Sequence, residues 1–276
     1  MNVIKTDNGI KIKGVTDLDL AQTLDCGQSF RWVENDGKFS GVAFGKKAEI
    51  YFDGDYLCID NTTAEDFENI WKSYLDLKLD YGKIREDIKN LHPVLRDACA
   101  YAPGIRILRQ EPWEALCTFI ISQNNNIKRI KGIVQRLCES FGGKIDDYYT
   151  FPSAENLAEL SPEDLAPIRA GFRNKYIIDA AQKVSAGEVD LEKCRKLPYD
   201  KAREELMKIK GVGKKVADCA LLFGLHRVEA FPVDVWMKRA LDKLFPDMTE
   251  NDFGPYAGIA QQYIFHYSRM HPELFE

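Results

Sequence analysis

The sequence lacks the features of membrane-spanning and secreted proteins. It contains no uncharged hydrophobic run long enough to cross a bilayer, and Met1 to Asp7 do not resemble the core of a signal peptide. Its seven cysteines show no short paired spacing, which favours reduced thiols over a disulfide framework. We therefore expect a cytoplasmic protein that has no membrane partner.

Positive charge is also scarce. The 38 lysines and arginines are outnumbered by 43 acidic residues, for a net charge of −5. This balance counts against a nucleic-acid-binding protein, because duplex binding depends on basic residues that displace counterions from phosphates. However, basic residues gather at 128–136, 169–175 and 208–215, whereas acidic residues concentrate at 53–60 and 65–86. A polarised surface could still bind a polyanion through a few salt-sensitive contacts.

The periodicity of apolar residues along the chain changes near residue 100. Residues 9–60 alternate between apolar and polar positions, with turn signals at Asp36-Gly37 and Asp53-Gly54, as in an antiparallel sheet. Helical periodicity predicts helices at 64–76 and 80–101 that pack on this sheet, and only helices after Trp113. Those later helices are predicted at 112–123, 127–141, 154–169, 174–187, 199–209, 214–226, 235–245 and 254–270. The predicted fold class is α+β, with a twisted antiparallel sheet in an N-terminal domain (1–103) and an all-helical domain (104–276).

Two of these helices form a hairpin, at about 199–226, around Gly211-Val212-Gly213. Two glycines beside one apolar residue allow a sharp turn and a close approach of the backbone to a ligand. The free N–H groups and the positive dipole end of the second helix suit an anion such as a duplex phosphate. By itself the motif is more often an ordinary corner between two helices.

Lys215 and Asp234 are the candidate catalytic residues. Lys214 is predicted to form an exposed pair with Asp218, whereas Lys215 lies at the margin of the apolar face of its helix. Partial burial beside a positive helix end favours the neutral amine, which is the form that attacks carbon. The alternative is a lysine whose stem merely covers the edge of the core. Asp234 has the position of a helix N-cap, which would keep its carboxylate ionised beside a developing positive charge.

These residues carry a family resemblance that spans nearly the whole chain. The hairpin, Lys215 and the Pro232-Val233-Asp234 sequence resemble the helix-hairpin-helix (HhH-GPD) DNA glycosylases, and specifically the bifunctional 8-oxoguanine DNA glycosylase/AP lyases. Other matching stretches are Gly27–Trp32, Leu108–Pro112, Ile121–Arg129 and Gly254–Gly258, followed by Gln261 and Phe265. The resemblance implies a helical domain of two lobes with the active site in the cleft between them.

The resemblance also implies how a damaged base is recognised after it is extruded from the duplex. The carbonyl of Gly27 would accept a hydrogen bond from N7–H, which 8-oxoguanine has and guanine lacks. Phe265 would stack on the base, Gln261 would bind its Watson–Crick edge, and Cys219 would lie on its opposite side. From periodicity alone, Phe265 would be a core residue and Cys219 a space-filling one.

A second group of residues is expected to contact the DNA left behind. Asn124 would bond the orphaned partner base, and Phe172 would wedge between base steps. Arg129 and Arg173 would donate forked bonds to cytosine, while Gly211 and Gly213 would approach a phosphate. From the residues alone, the asparagine run could be a loop that ends a helix, and Phe172 could be a packing residue.

The chemistry implied by the resemblance is excision through a Schiff base on Lys215, followed by β-elimination that nicks the strand. No organic cofactor or catalytic metal is expected. The iron–sulfur cluster of the related endonuclease III branch is excluded, because this chain has no cysteine after Cys219. The carbonyls of Met207, Ile209 and Val212 are expected to hold a structural ion. The expected partner is duplex DNA with 8-oxoguanine opposite cytosine, bound by a monomer that is associated with the nucleoid if the source is a prokaryote.

Two departures and two alternatives remain. Lys210 stands where the family often has proline, which predicts a looser turn, and Trp236 stands where a phosphate-contacting histidine is common. One alternative is a glycosylase for alkylated bases with the same fold, a branch that generally lacks the lysine. The other is a non-catalytic helix-hairpin-helix module, which would leave Lys215, Asp234, Asn124 and Gln261 without a joint purpose.

Overall fold

The computed structural model describes all residues, 1–276. Its N-terminal part is a six-stranded antiparallel sheet in the order β1-β2-β6-β5-β4-β3. The strands are β1 (Asn2–Lys5), β2 (Gly9–Lys13), β3 (Val33–Asn35), β4 (Lys38–Ala43), β5 (Lys46–Asp53) and β6 (Tyr56–Asp60). The predicted sheet is confirmed, and Asp36-Gly37 and Gly54 adopt the positive φ angles that tight hairpin turns require.

Helices dominate the rest of the chain. The α-helices are α1 (Leu20–Leu24), α2 (Ala64–Asp66), α3 (Lys72–Tyr74), α4 (Tyr81–Lys89), α5 (Pro93–Tyr101), α6 (Pro112–Ser122), α7 (Ile127–Phe141), α8 (Ala154–Ala158), α9 (Asn174–Ser185), α10 (Leu191–Lys196), α11 (Tyr199–Leu206), α12 (Lys214–Cys219), α13 (Val235–Leu244) and α14 (Ala257–Met270). Two π-helical segments occur at Phe67–Trp71 and Ala220–Gly224, and 3-10 segments occur at Ala166–Ile168, Gly171–Arg173, Glu250–Tyr256 and Pro272–Phe275. None of the helices combines the length and apolar character needed to traverse a bilayer.

The helix predictions need four corrections. The predicted helix 80–101 is two helices, because His92 caps a new helix whose first residue is Pro93. The predicted helix 154–169 ends at Ala158, before Pro162 and Pro167. Helix α10 was not predicted. A short hairpin of β7 (Lys144–Ile145) and β8 (Tyr148–Tyr149) interrupts a region predicted to be wholly helical.

Two hydrophobic cores organise the molecule. The smaller core lies under the sheet and includes Trp32 and Trp71, whereas the larger core contains Phe30 and residues from Tyr81 on α4 to Phe275. Helices α4 and α5 belong to this larger core, where α5 packs against α14. The prediction that 80–101 packs on the sheet was therefore wrong, since the core under the sheet includes residues of α1 and of 64–76 but none of 80–101. The domain boundary at 103/104 stays a prediction.

A buried charge cluster joins the two parts of the chain. Arg31, which follows the Gly27 loop, bonds Glu114 on α6 with 3.2 Å between Nη1 and Oε2. Burial, reinforced by the nearby charge of Glu114, raises the pKa of Glu111 to about 7, although Arg31 opposes the shift. Glu111 is therefore a group whose protonation is coupled to folding at this junction.

The coupling predicts the pH dependence of stability. Because the folded-state pKa of Glu111 lies above its usual value of 4.5, its stabilising contribution is complete below pH 4.5 and is lost as the pH rises through about 7. Glu111→Gln should therefore remove part of the decline in the free energy of unfolding between pH 5 and 8, as urea unfolding would measure. The exposed Glu159→Gln variant should follow the parent protein. Parallel pH profiles for Glu111→Gln and the parent would contradict this coupling.

Candidate active site

Of the two glycines in the hairpin, Gly211 is required by its geometry. Gly211 has a φ of +79°, and a Cβ there would lie 2.5 Å from the ring of Tyr176. Gly213 is the N-cap of α12 and has an extended conformation. A Cβ added there would meet no atom within 4 Å. Buried Val212 holds the turn between them, and its N–H donates to the Ile209 carbonyl at 3.0 Å. The exposed turn presents the N-terminus of α12 to solvent, as phosphate binding requires.

Helix α9 braces this turn. The N–H of Lys210 donates to Asp179 Oδ2 at 2.6 Å, and Lys183 Nζ donates to the Lys208 carbonyl at 2.7 Å. Proline at 210 has no N–H and could not make the first bond. The prediction that Lys210 loosens the turn was therefore wrong. Neither Asp179 nor Lys183 was singled out in the sequence, because a contact between residues 31 positions apart leaves no local signal.

Lys215 lies inside a cavity, half-buried. Its Nζ is 3.2 Å from Ser122 Oγ and 5.3 Å from the centre of the Phe119 ring. The amine therefore lies over an aromatic face and has a neutral hydrogen-bond partner. Ser122 and Phe119 were not predicted as site residues, although both belong to the helix that precedes the asparagine run.

Asp234 lines the same cavity as Lys215. It is the N-cap of α13, and its Oδ1 accepts the N–H of Met237 at 2.7 Å. The N-cap position was predicted from the sequence and is confirmed. A carboxylate held at this position can stabilise a cation formed between it and the lysine.

The four residues predicted for a base pocket surround this cavity together. Gly27, Cys219, Gln261 and Phe265 all line it. Gln261 is buried, and its Oε1 has no hydrogen-bond partner in the protein. A buried acceptor without a donor is costly, so this amide oxygen is available to a ligand. Burial raises the pKa of Cys219 to about 11, although Lys215 opposes the shift, so the thiol is neutral at pH 7 and serves as a contact surface.

Most of the residues predicted to contact the DNA are exposed, and Asn124 and Gly213 also line a cavity with Lys215 and Asp234. Asn124 follows α6 with a φ of +47°, and Arg129 is exposed in the first turn of α7. Phe172 is 50% exposed, and its ring meets the edge of Tyr176 at 5.8 Å between centroids. Tyr176 thus contacts both Phe172 and the Gly211 turn. The structure brings the predicted wedge and the predicted phosphate site onto one surface.

Arg173 differs from its prediction. It is only 2% exposed, and its guanidinium donates to the carbonyls of Gln123, Asn124 and Ala170. Its donors hold the loop of Asn124 in place. The guanidinium of Arg173 is therefore not free to bind cytosine in this structure. A contact with cytosine would require its present hydrogen bonds to be shared or exchanged.

Two further expectations change. Asp218 is buried and accepts a hydrogen bond from Tyr199 Oη at 2.7 Å, so it does not form an exposed pair with Lys214. Burial raises the pKa of Asp218 to about 6. Trp236 donates its indole N–H to Ser268 Oγ at 3.0 Å and packs on Phe275. Its donor is therefore committed to the protein interior and is not free for a phosphate.

Comparisons with known proteins agree along the whole chain. Residues 11–116 match the model of the 8-oxoguanine DNA glycosylase N-terminal domain, and residues 117–252 match that of the HhH-GPD superfamily of base excision DNA repair proteins. An N-glycosylase/DNA lyase of Saccharomyces cerevisiae is 34% identical over 81% of this chain and 67% of its own length. An N-glycosylase/DNA lyase of Arabidopsis thaliana is 30% identical over 91% of this chain and 77% of its own.

One solved structure is similar over almost the full length of both chains. It is the 8-oxoguanine glycosylase/lyase of Clostridium acetobutylicum, bound to double-stranded DNA that contains cytosine opposite 8-oxoguanine. The two chains are 36% identical, the similarity covers 99% of each, and the TM-score is 0.93. The chain described here therefore has the fold of the Clostridium glycosylase/lyase, in both the N-terminal sheet and the helical part.

Proposed function

This chain belongs to the 8-oxoguanine glycosylase/lyase branch of the HhH-GPD superfamily, and from that premise we propose that it excises 8-oxoguanine from duplex DNA and then nicks the strand. The observation that carries the proposal is the content of one cavity. Lys215, Asp234 and Gln261 all line it, and the buried Oε1 of Gln261 has no hydrogen-bond partner in the protein. A nucleophile, a counter-charge and an acceptor for a base edge are the groups that base excision requires.

The first step removes the base. The neutral amine of Lys215 forms a bond to C1′ of the extruded nucleotide while the bond from C1′ to N9 breaks, and the departing base takes up a proton. Asp234 stabilises the positive charge that develops on the sugar. The Lys215 amine donates to the neutral Ser122 hydroxyl and forms no salt bridge with a carboxylate.

The second step cuts the strand. Opening of the sugar ring gives a protonated imine between Lys215 and C1′, and this electron-withdrawing group acidifies C2′. Loss of a C2′ proton then breaks the C3′–O3′ bond and releases the 3′ phosphate. Water hydrolyses the remaining imine and frees the lysine. These bonds are made and broken without an oxidant or reductant, and no cofactor takes part in the proposed steps.

Recognition of the base rests on three contacts. The Gly27 carbonyl accepts N7–H of 8-oxoguanine, Gln261 binds the Watson–Crick edge, and Phe265 stacks on the ring. In the resting structure Phe265 is covered on one side by Arg269, with 5.4 Å between the guanidinium carbon and the ring centre. On the opposite strand, Asn124, Arg129 and Phe172 contact the orphaned cytosine and fill the vacated space.

The hairpin contributes the phosphate site through Gly211 and Gly213. We also propose that the carbonyls of Met207, Ile209 and Val212 hold a structural cation. The Ile209 carbonyl already accepts the N–H of Val212, and its second lone pair remains for a ligand. The protein acts as a monomer in the cytoplasm, on the nucleoid if the source is a prokaryote.

Single-turnover assays on three matched duplexes test this function. The duplexes contain 8-oxoguanine opposite cytosine, guanine opposite cytosine, or 3-methyladenine opposite thymine. We expect base release and strand nicking on the first duplex alone. Release of 3-methyladenine without nicking would identify a glycosylase for alkylated bases, and binding without release on any duplex would identify a non-catalytic module.

A further inference from the structure

Three buried glutamines surround the loop of Gly27 and have no part in the reaction described above. They are Gln28 in the loop, Gln110 before α6 and Gln262 on α14. A buried primary amide is expensive unless its donors and acceptor are paired, so three of them in one place call for a reason.

Gly27 itself has little direct support from the rest of the protein. Gly27 has a φ of +95°, and a Cβ there would lie 3.2 Å from Ile127 Cδ1 and 3.6 Å from Phe265 Cε1. A glycine is needed, but glycine also lets the adjoining peptide groups rotate with little resistance. No donor of the protein bonds the Gly27 carbonyl. Nothing in direct contact therefore fixes the direction of the atom that reads N7–H.

The peptide groups on either side of that carbonyl are fixed instead. Gln262 Nε2 donates to the Cys26 carbonyl at 3.4 Å, and Gln110 Nε2 donates to the Gln28 carbonyl at 2.7 Å. The Gly27 carbonyl lies between these two bonded carbonyls in the chain. With both neighbours held, the two ends of the peptide group that carries the Gly27 carbonyl are fixed in position.

The side chain of Gln28 ties the same loop to the start of the helical part. Its Oε1 accepts the N–H of Leu108 at 2.9 Å, and its Nε2 donates to the carbonyls of Thr23 at 2.9 Å and Arg106 at 2.7 Å. The loop is thus anchored at its base through Gln28 and along its backbone through Gln110 and Gln262. The anchors come from three separate segments, and all of them are buried.

We propose that Gln110 and Gln262 are positioning residues that orient the Gly27 carbonyl and thereby set the preference for 8-oxoguanine over guanine. This inference rests on the proposed function, since it explains how the base-reading carbonyl is held. Neighbouring residues on α14 then have different tasks: Gln261 offers its free Oε1 to the base, and Gln262 holds the loop that reads the same base.

The test uses binding, in a Lys215→Gln background that cannot turn over. Dissociation constants are measured for three duplexes, which carry 8-oxoguanine, guanine or a tetrahydrofuran abasic analogue opposite cytosine. Gln110→Met and Gln262→Met keep the length of each side chain but remove the donor. Gln135→Met is the matched control, because Gln135 is exposed on α7 and bonds only Glu139.

We expect each of the two variants to bind the 8-oxoguanine duplex about tenfold more weakly, the loss that one buried hydrogen bond typically brings. Binding of the abasic duplex, which has no base to read, should change less than about twofold, as should both affinities of the control. Equal losses on both duplexes would indicate a merely structural role and overturn the inference, and so would no loss on either. If the Lys215→Gln parent itself does not prefer 8-oxoguanine over guanine, the proposed function fails together with the inference.

Discussion

Lys215→Gln should reduce the release of 8-oxoguanine by at least about a thousandfold, because removal of the nucleophile from covalent enzymes commonly costs more than this. Glutamine retains the length and polarity of the side chain but cannot form an imine. Duplex binding should persist, since the hairpin backbone and the exposed basic residues are untouched. Single-turnover release of the base measures the first effect, and a gel-shift titration measures the second.

The control for this variant is Lys201→Gln. Lys201 is exposed on α11, where it pairs with Glu204 at 2.7 Å, and it lies outside the cavity. Its loss should leave the rate within about twofold. A Lys215→Gln protein that still released the base and formed a covalent complex would place the nucleophile elsewhere, with Lys214 as the nearest candidate.

Asp234→Asn should lower the rate of base release by about a hundredfold or more, the usual cost of removing one preorganised electrostatic contact. This substitution separates the two roles of Asp234. Asparagine is as good an N-cap as aspartate, so the bond to the N–H of Met237 and the start of α13 should survive. What is lost is the negative charge beside the developing cation.

Asp190→Asn is the matched control for that design. Asp190 caps α10 in the same way, with its Oδ1 accepting the N–H of Lys193 at 2.9 Å, but it does not line the cavity. Both variants should melt within a few degrees of the parent protein. A large drop in melting temperature for Asp234→Asn alone would assign its effect to folding, and an unchanged rate would remove Asp234 from the mechanism.

The residues that carry the chemistry of the site were easier to predict from the sequence than the residues that hold them in place. Gly211, Gly213, Lys215 and Asp234 could be read because the turn, the helix start and the N-cap each impose a residue type within a few positions. The N-terminal sheet was predictable for the same reason, since alternation and turn residues are local signals. Gln261 and Phe265 were found only through the family resemblance, and on periodicity alone Phe265 would be a core position.

What the sequence did not show depends on contacts between distant segments. The buried state of Arg173 follows from the carbonyls of Gln123 and Asn124, about 50 positions away, and Lys210 is held by Asp179. Asp218 sits one turn from Lys214 but bonds Tyr199 on the preceding helix. The glutamines around Gly27 are likewise joined only by the fold. Residue spacing cannot report such partners.

The most direct test of the account is to identify the residue that becomes attached to the DNA. The protein is mixed with a duplex containing 8-oxoguanine opposite cytosine, the imine is reduced with borohydride, and the cross-linked peptide is sequenced by mass spectrometry. We predict a single adduct on Lys215. An adduct on another lysine, or base release with no trappable complex, would contradict the assignment of Lys215 as the nucleophile.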